Sequence, residues 1–443
     1  MAENAAGETS TLARVRLHES TLVRKIAAHD CDGFGLYDLA IDAGRIAAIT
    51  PSTGELPAVD EQDMGGRIIL PAFVDCHTHL DKGHIWPRRP NPDGTFDGAL
   101  ASVSEDRAAF WTAGDVDARM NFSLKCAYAY GTKAIRTHLD SAFPQETISW
   151  PVFEAVRERW AGRIDLQASC LIGIEQVRET DWYATLVARV KAAGGILGTV
   201  TYMVPDVEEL LDRVFAAAID NDLELDFHAD ETGDTAAVTL RLIAEAAARN
   251  RFEKPILIGH CCALARQPDD EVRRTLDLVA GSTISVVSLP MCNLYLQDRR
   301  PPHRVNGGTT PRWRGVTLLH EMAARGVNVC VASDNTRDPF YAYGDLDMLE
   351  VYRMATRIIH FDHPVGNWPK TVFANAARAM SLDGSHGMLR AGDPADFILF
   401  KGRSWTELLS RPESDRVVYR DGKAIAARLP DYAELDHLME HTS

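Results

Sequence analysis

Apolar residues in the segment 206–222 recur at the spacing of an amphipathic helix. In DVEELLDRVFAAAIDND they fall at positions i, i+3, i+4 and i+7, which is the pattern that one buried helix face produces. The next segment, LELDFHAD at 223–230, alternates apolar and polar residues with the period of two that is typical of a strand. A helix is thus followed directly by a strand, and the same alternation recurs along most of the chain.

Eight β-rich segments alternate with helical ones between residues 68 and 334. Near-continuous apolar strands separated by helices are typical of parallel strands that are buried on both faces. Eight such units predict an α/β fold, a (β/α)8 TIM barrel. The predicted strands span residues 68–79, 133–140, 164–172, 196–204, 223–230, 255–260, 283–290 and 328–334.

Both ends of the chain carry a different pattern, with short alternating runs broken by Gly and Asp. LYDLAIDAGRIAAIT lies near the start, and ADFILFKG and RVVYRDGKAI lie near the end. Within them, DAG and RDG supply residues that suit turns between antiparallel strands. We therefore predict a small β-sandwich-like domain formed by residues 1–67 and 386–443, the latter ending in a short tail helix, beside a barrel of residues 68–385.

The composition is that of a globular protein and excludes several classes of function. Hydrophobic residues make up 46% of the 443 residues, and the formal net charge is −16, so a nucleic-acid partner, which needs clustered Lys and Arg, is not expected. The first residues do not resemble a secretory signal, and no apolar run approaches the ~20 residues that span a bilayer. Eight cysteines without a C-x-x-C pair indicate buried thiols in a reducing compartment. We expect a cytoplasmic protein with no membrane partner.

Histidine and aspartate side chains collect at the predicted carboxyl ends of the barrel strands. His77 and His79 end the first strand, His228 ends the fifth, His260 the sixth and Asp334 the eighth. Residues two apart on a strand point to the same side, so both imidazoles of the first strand can face the barrel mouth. An H-x-H pair alone is as often a chance occurrence. Nitrogen and oxygen ligands that converge on this face of a barrel, however, indicate a hydrolytic metal site.

Glu231 follows His228 by three residues, in the segment HADE. This position lies just beyond the strand end, where a carboxylate can reach a substrate above the metal and act as a general acid or base. The alternative is an ordinary solvated glutamate on a loop. Its place beside a predicted metal ligand favours the catalytic interpretation.

The chain resembles the amidohydrolase superfamily and, within it, the cytosine deaminase-like branch, which also contains hydrolases of N-alkylated triazines such as N-isopropylammelide. The resemblance covers nearly the whole chain. Its motifs are PAFVDCHTHLDK, IRTHLD, FHADE, IGHCCAL, LPMCNLYLQDR and VCVASDNTRDPFYAYGDLDML.

This resemblance implies a cofactor, a reaction and a role for each polar residue. One divalent metal ion per chain, Zn²⁺ or Fe²⁺, is implied, because the fourth strand, ILGTVTYMV, lacks the lysine that two-metal members carry. A metal-bound hydroxide would displace ammonia or an amine from a C–N bond of a cytosine-like pyrimidine or s-triazine ring. We expect this small N-heterocycle as the partner, and a homo-oligomeric assembly. The implied roles are metal ligand for His77, His79, His228 and Asp334, water orientation and proton uptake for His260 with Asp334, and proton transfer for Glu231.

Three departures from the cytosine deaminase pattern concern the substrate. LIGIE, with Gly173, stands where that branch typically has a substrate-reading glutamine; Asn335 replaces a second aspartate, and Lys82 replaces a threonine. The loss of an amide that reads a pyrimidine edge weakens discrimination for cytosine. The departures favour another heterocycle.

Four residues are candidates for binding that heterocycle. Lys82 would hold an anionic or electron-rich carbonyl edge, the less favoured alternative being a solvated surface lysine. Phe340 would stack on a ring, and an ordinary role in the core is equally open. Asn335 and Arg337 complete the set, the arginine as a candidate for an acidic substituent. Two alternative functions stay open: ring opening of a cyclic amide, which the missing fourth-strand lysine disfavours, and a non-catalytic barrel used for binding, which the retained ligands disfavour.

Overall fold

A computed structural model describes residues 9–58, 61–299, 310–412 and 415–439 of the protein. In chain order its strands fall into three groups, from the start of the chain, the middle and the end. The first group is β1 (Ser10–His18), β2 (Phe34–Asp42), β3 (Arg45–Pro51), β4 (Gln62–Asp63) and β5 (Ile68–Pro71). The second is β6 (Phe73–Thr78), β7 (Thr132–Asp140), β8 (Asp165–Leu171), β9 (Leu197–Thr201), β10 (Leu225–Ala229), β11 (Ile256–His260), β12 (Ile284–Ser288) and β13 (Asn328–Val331). The third is β14 (Phe397–Phe400), β15 (Arg416–Arg420) and β16 (Lys423–Ala424).

The helices lie between the middle strands and after them. They are α1 (Phe96–Phe110), α2 (Ala113–Tyr130), α3 (Glu146–Trp160), α4 (Thr180–Ala192), α5 (Val207–Asn221), α6 (Thr239–Arg249), α7 (Asp269–Ala280), α8 (Pro290–Leu296), α9 (Leu319–Ala324), α10 (Met348–Ile359), α11 (Ala374–Ala379), α12 (Trp405–Ser410) and α13 (Asp436–Met439). The helix predicted over 206–222 is observed as α5, with its apolar face buried. Thr95 and Thr112 begin α1 and α2 by accepting bonds from backbone N–H groups of the first turn.

The middle strands form the predicted barrel. Strands β6, β7 and β8 pair in parallel, as do β9 to β13 in sequence order. Parallel bridges join this three-stranded set to the five-stranded set at both sides, between Ser169 and Ile196 and between Thr78 and Asp334. The ring is therefore closed, and the (β/α)8 prediction is confirmed.

Strands from both ends of the chain form one mixed sheet in the order β16-β15-β14-β5-β1-β2-β3, with β4 paired to β1. The pairing is antiparallel except that β1 runs parallel to β4 and β5. Side chains of this sheet, including Leu17, Tyr37 and Phe397, form an apolar cluster separate from that of the barrel. The exact limits of the two domains stay a prediction.

The strand predicted over 68–79 is two strands. Ile68–Pro71 pairs with β14 in the terminal sheet, whereas Phe73–Thr78 pairs with β7 in the barrel. Pro71 has no N–H to donate to a ladder, which favours a break at this point. Both segments are fully buried, so their apolar pattern does not reveal the change of sheet.

The predicted tail helix is observed as a 3-10 turn over Tyr432–Leu435 followed by α13. The last residues of that prediction, 440–443, lie outside the described residues. Among the described residues, no helix combines the length and the apolar character needed to cross a bilayer.

Candidate active site

The carboxyl ends of the barrel strands bring the predicted polar residues together around a cavity of about 850 Å³. Because parallel strands all end on the same side of the barrel, residues distant in the sequence meet there. His77 is fully buried, and its ring contacts the ring of His228. The predicted residues that line the cavity are His79, Lys82, His228, Glu231, His260, Asp334, Asn335 and Phe340.

Three histidines and one aspartate form a compact ligand cluster. Oδ1 of Asp334 lies 3.6 Å from Nε2 of His77 and 3.3 Å from Nε2 of His79. The Nε2 atoms of His79 and His228 are 3.3 Å apart. These are the four residues that the resemblance implies as metal ligands.

The chemistry of this cluster fits a divalent cation. Several of its buried polar atoms, including Nε2 of His77 and both carboxylate oxygens of Asp334, have no hydrogen-bond partner among the described residues. Burial is the main cause that lowers the pKa of His77, His79 and His228 well below the usual range, which favours neutral imidazoles. Neighbouring histidines add to this effect at all three residues, and Lys82 adds to it at His79 and His228. Neutral imidazoles and a carboxylate are the ligands that Zn²⁺ and Fe²⁺ accept.

Glu231 and His260 lie beside this cluster and contact each other. Nδ1 of His260 is 3.3 Å from Oε1 of Glu231. Burial and then the charge of Asp334 raise the pKa of Glu231 well above its usual range. Burial lowers the pKa of His260 to about 3. A raised pKa favours the protonated form of the carboxyl group, which suits general acid catalysis.

Two residues of the site, His260 and Asp334, have a left-handed backbone conformation. The φ angles of His260 and Asp334 are 70° and 62°, in a region that residues other than glycine seldom adopt. Such conformations cost on the order of 1–3 kcal/mol and cluster at active sites, where the surrounding structure maintains them. Both side chains line the cavity.

Lys82 is buried and its charge is compensated. Its Nζ lies 3.2 Å from Oδ1 of Asp140, and Nη1 of Arg107 donates to Oδ2 of the same carboxylate at 2.8 Å. Burial opposes the charge on Lys82, but Asp140, Asp81 and Asp338 outweigh it and raise the pKa of Lys82. The alternative of a solvated surface lysine is therefore wrong, and the lysine presents its ammonium to the cavity as part of an ion pair.

Asn335 and Phe340 lie on the loop that follows β13. Nδ2 of Asn335 donates to Asp338 at 2.8 Å, and this aspartate also accepts the backbone N–H of Phe340 at 2.8 Å. The Phe340 ring lies 5.3 Å from Nζ of Lys82, in cation–π contact. Phe340 is buried and also lines the cavity, so a place in the core and a place beside a substrate are compatible. Its stacking on a substrate ring stays a prediction.

The structure does not bring Arg337 to the cavity with the other residues. Its guanidinium stacks on the ring of Tyr432 at 3.8 Å, in the tail of the chain. The positive φ of Arg337, 44°, turns the chain away from the direction of its neighbours. A role for this arginine toward an acidic substituent has no geometric support.

The strands that carry departures from the family pattern also contribute to the cavity. Thr201 ends β9, the fourth strand of the barrel, and its hydroxyl donates to the His228 carbonyl at 2.7 Å. Lys191, the nearest lysine in the preceding sequence, lies on α4 and contacts Asn221. Gly173 and Gln176 both line the cavity, and the Gln176 side chain accepts the Gly173 N–H at 3.0 Å. The Gln176 side chain is thus engaged with the backbone.

Sequence reasoning missed three residues at this site. Asn293 contacts both Glu231 and His260, Asp140 holds Lys82, and the His138 ring lies 4.1 Å from that of His77 with its Nε2 3.0 Å from Asp226. His138 and Asp140 stand at the end of the second predicted strand, in IRTHLD, so the rule of polar residues at strand ends would have found them.

Comparison with known proteins identifies the class to which this site belongs. The profile of the amidohydrolase family matches residues 176–426. A pterin deaminase from Rhizobium rhizogenes is 52% identical over 406 residues, which are 91% of each chain. The N-isopropylammelide isopropyl amidohydrolase of a Pseudomonas strain is 22% identical over 83% of this chain and 88% of its own.

Solved structures agree in fold. The 5-methylcytosine deaminase of Klebsiella pneumoniae superimposes with a TM-score of 0.80, at 24% identity, over 95% of this chain and 98% of that one. The N-isopropylammelide isopropylaminohydrolase of Burkholderia multivorans has a TM-score of 0.70 over 94% and 97% of the two chains. The chain belongs to the amidohydrolase family, and it is an enzyme that hydrolyses carbon–nitrogen bonds other than peptide bonds.

Proposed function

We propose that this chain is a metal-dependent deaminase that releases ammonia from the amino-bearing carbon of a pterin-like ring. The observation that carries the proposal is the group of ligand, acid/base and orienting side chains around one cavity, in a chain that is 52% identical to a pterin deaminase over 91% of its length. An N-isopropylammelide isopropyl amidohydrolase and a 5'-deoxyadenosine deaminase are 22% and 23% identical over comparable lengths.

His77, His79, His228 and Asp334 would hold one divalent ion, Zn²⁺ or Fe²⁺. When bound, such an ion activates a water by lowering its pKa toward ~7. The threonine at the end of β9 supports a single ion, because it leaves no lysine there to bridge a second one. We therefore expect about one metal ion per chain.

The remaining steps use side chains of this protein. His260 and Asp334 hold the attacking water, while Glu231 donates its proton to the ring nitrogen next to the amino-bearing carbon, which becomes electrophilic. As the water oxygen bonds to that carbon, Glu231 takes up one proton of the water and passes it to the departing nitrogen, and the second proton of the water then restores the protonated form of Glu231. The C–N bond breaks, and the products are the oxo ring and ammonia.

The walls of the cavity suit a ring larger than a pyrimidine. Its volume of about 850 Å³ lies toward the upper end of ordinary small-molecule sites. At Gly173 the wall lacks a side chain, at the place where cytosine deaminases typically have the substrate-reading glutamine. Lys82 and Asp140 can pair with a carbonyl and an adjacent N–H, an edge that a 2-amino-4-oxo ring presents. Phe340 lies beside them to contact the ring face.

A screen for released ammonia and amines tests the assignment of the ring. The purified metal-loaded enzyme is assayed with pterin, guanine, cytosine, isocytosine, ammelide and N-alkylammelides, and each reaction is also followed for ring opening. We expect the highest kcat/KM for pterin, with ammonia as the nitrogen product. A higher kcat/KM for a pyrimidine or a triazine would show that the substrate ring is not a pterin. Ring opening without release of ammonia would show that the enzyme is not a deaminase.

Substitution of Glu231 tests the mechanism separately from the ring. Glu231→Gln removes the transferable proton but keeps the shape, so kcat should fall about 10²- to 10⁴-fold while the metal content is retained. Metal per chain is measured by plasma mass spectrometry on the same samples. Glu253→Gln, at an exposed glutamate, is the matched control and should leave both values unchanged. A Glu231→Gln enzyme with a near-normal rate would exclude this residue as the acid.

A further inference from the structure

Asn293 lies between the two groups that the proposed mechanism uses to handle protons and water. It belongs to α8, which begins directly after β12, and its side chain is fully buried. Its Nδ2 donates to Oε1 of Glu231 at 3.1 Å and lies 3.0 Å from Nδ1 of His260. One amide group therefore contacts both side chains.

The direction of this amide follows from its neighbours. An amide nitrogen has two hydrogens, one for each of these acceptors, whereas the oxygen has none to donate. A reversed amide would leave both of its N–H groups without a hydrogen-bond partner among the described residues. In the observed direction only Oδ1 of Asn293 has no hydrogen-bond partner among the described residues. One unpartnered acceptor costs less than two unpartnered donors.

The amide also decides which nitrogen of His260 carries the proton. If Nδ1 accepts from Asn293, the proton of the neutral ring resides on Nε2. Nε2 has no hydrogen-bond partner among the described residues, and His260 groups with His77 and Asp334. The alternative, an Nδ1–H directed at Glu231, has the longer separation of 3.3 Å.

We propose that Asn293 is a positioning residue that keeps His260 in the tautomer with its proton on Nε2 and, through its second N–H, orients the Glu231 carboxylate. The proposal rests on the proposed function for its catalytic meaning. With this tautomer His260 donates an N–H to the attacking water and does not take up the proton of that water. A hydrogen-bonding partner on the far nitrogen is the usual means by which proteins select a histidine tautomer.

The test measures the tautomer directly. Histidine side chains are labelled with ¹⁵N in the zinc-loaded enzyme, and the signals of His260 are identified by their loss in His260→Gln. In the wild type we expect a protonated Nε2 and an unprotonated Nδ1. In Asn293→Ala, Nδ1 loses the N–H that it accepts, so the share of His260 with its proton on Nε2 should fall. Asn293→Asp keeps the size of the side chain and should move the proton in the same direction.

Kinetics of the same variants give the second measurement. We expect kcat to fall about 10- to 100-fold in Asn293→Ala, with KM and zinc content little changed, because the residue acts through its neighbours. Asn250→Ala removes an asparagine that bonds Asp212 far from the cavity and should change neither the tautomer nor kcat.

The outcomes separate this proposal from the assignment of the ring. A protonated Nδ1 in the wild type, or an unchanged tautomer in both Asn293 variants, overturns the role of Asn293 whatever the enzyme deaminates. A proton that moves as expected, in an enzyme that releases no ammonia from pterin, supports the role of Asn293 and overturns the ring.

Discussion

Single positions on the barrel strands determine how closely the histidine rings approach one another. Gly259 precedes His260 on β11, and a Cβ at this position would stand 2.7 Å from Cε1 of His77 and 3.1 Å from its Nδ1. Real Cβ atoms do not approach ring atoms so closely, and the His77 ring is fully buried with little room to move. The absence of a side chain at Gly259 is therefore part of the ligand geometry.

Gly259→Ala should displace the His77 ring and weaken metal binding. A shifted ligand typically costs about 10- to 100-fold in metal affinity, so the variant should lose its metal during dialysis against a weak chelator that leaves the wild type loaded. Metal per chain and the far-ultraviolet circular dichroism spectrum are measured together. Gly114→Ala, where a Cβ would have nothing within 4 Å, is the control. If Gly259→Ala keeps its metal under these conditions, the contact with His77 has no functional weight.

At the scale of elements, His386 connects the segment after α11 to the start of β8. Its Nε2 lies 2.9 Å from Asp165, the first residue of β8, and its Nδ1 lies 3.1 Å from Asp383. The bond to Asp165, opposed by burial and aided by Asp383, raises the pKa of His386 above the usual 6.5. The folded state therefore binds the imidazolium more tightly than the unfolded state does.

This raised pKa predicts a pH dependence of stability. The contribution of His386 is fully present below the unfolded pKa of about 6.5 and is lost as the pH rises through the higher folded value. Between about pH 6 and pH 8 the free energy of unfolding should fall by on the order of 1 kcal/mol more in the wild type than in His386→Gln. Urea denaturation at each pH measures it. His363→Gln, at a side chain that is 92% exposed, should follow the wild type, and parallel curves for His386→Gln would contradict the assignment.

The sequence contains the order of the elements but not all of their ends. The meeting of the candidate ligands was predictable because parallel strands place polar residues at a common edge, and His77, His79 and His228 lie there. The end of the eighth strand was not predictable. The strand stops at Val331, and Asp334 beyond it adopts a left-handed backbone although it is not glycine. The contacts of Asn293 also depend on where α8 packs against β11, a tertiary relation that no local pattern encodes.

At the scale of the whole molecule, the barrel and the terminal sheet meet at the end of α2. Gly131 follows that helix with a φ of 98°, and its carbonyl accepts the N–H of Phe73 as β6 begins. A Cβ at Gly131 would stand 2.4 Å from Cδ1 of Ile398 on β14. Nearby, the buried Arg420 of β15 donates to the Thr132 carbonyl at 3.0 Å. A segment close to the end of the chain thus packs directly on the start of the barrel.

Gly131→Ala should destabilise the molecule through both its backbone angle and this contact. The left-handed angle alone costs an alanine about 1–2 kcal/mol, and Gly326→Ala isolates that cost, because Gly326 has a φ of 80° and nothing within 4 Å of a Cβ. Gly131→Ala should therefore lose about 1 kcal/mol or more beyond Gly326→Ala, since overpacking in a core typically costs 1–3 kcal/mol. In an Ile398→Ala background, Gly131→Ala should cost less than it does in the wild type, because neighbouring substitutions couple. Thermal and urea denaturation of the wild type, the three single variants and the double variant measure this coupling, and equal losses in Gly131→Ala and Gly326→Ala would show that the two domains do not depend on close packing at Gly131.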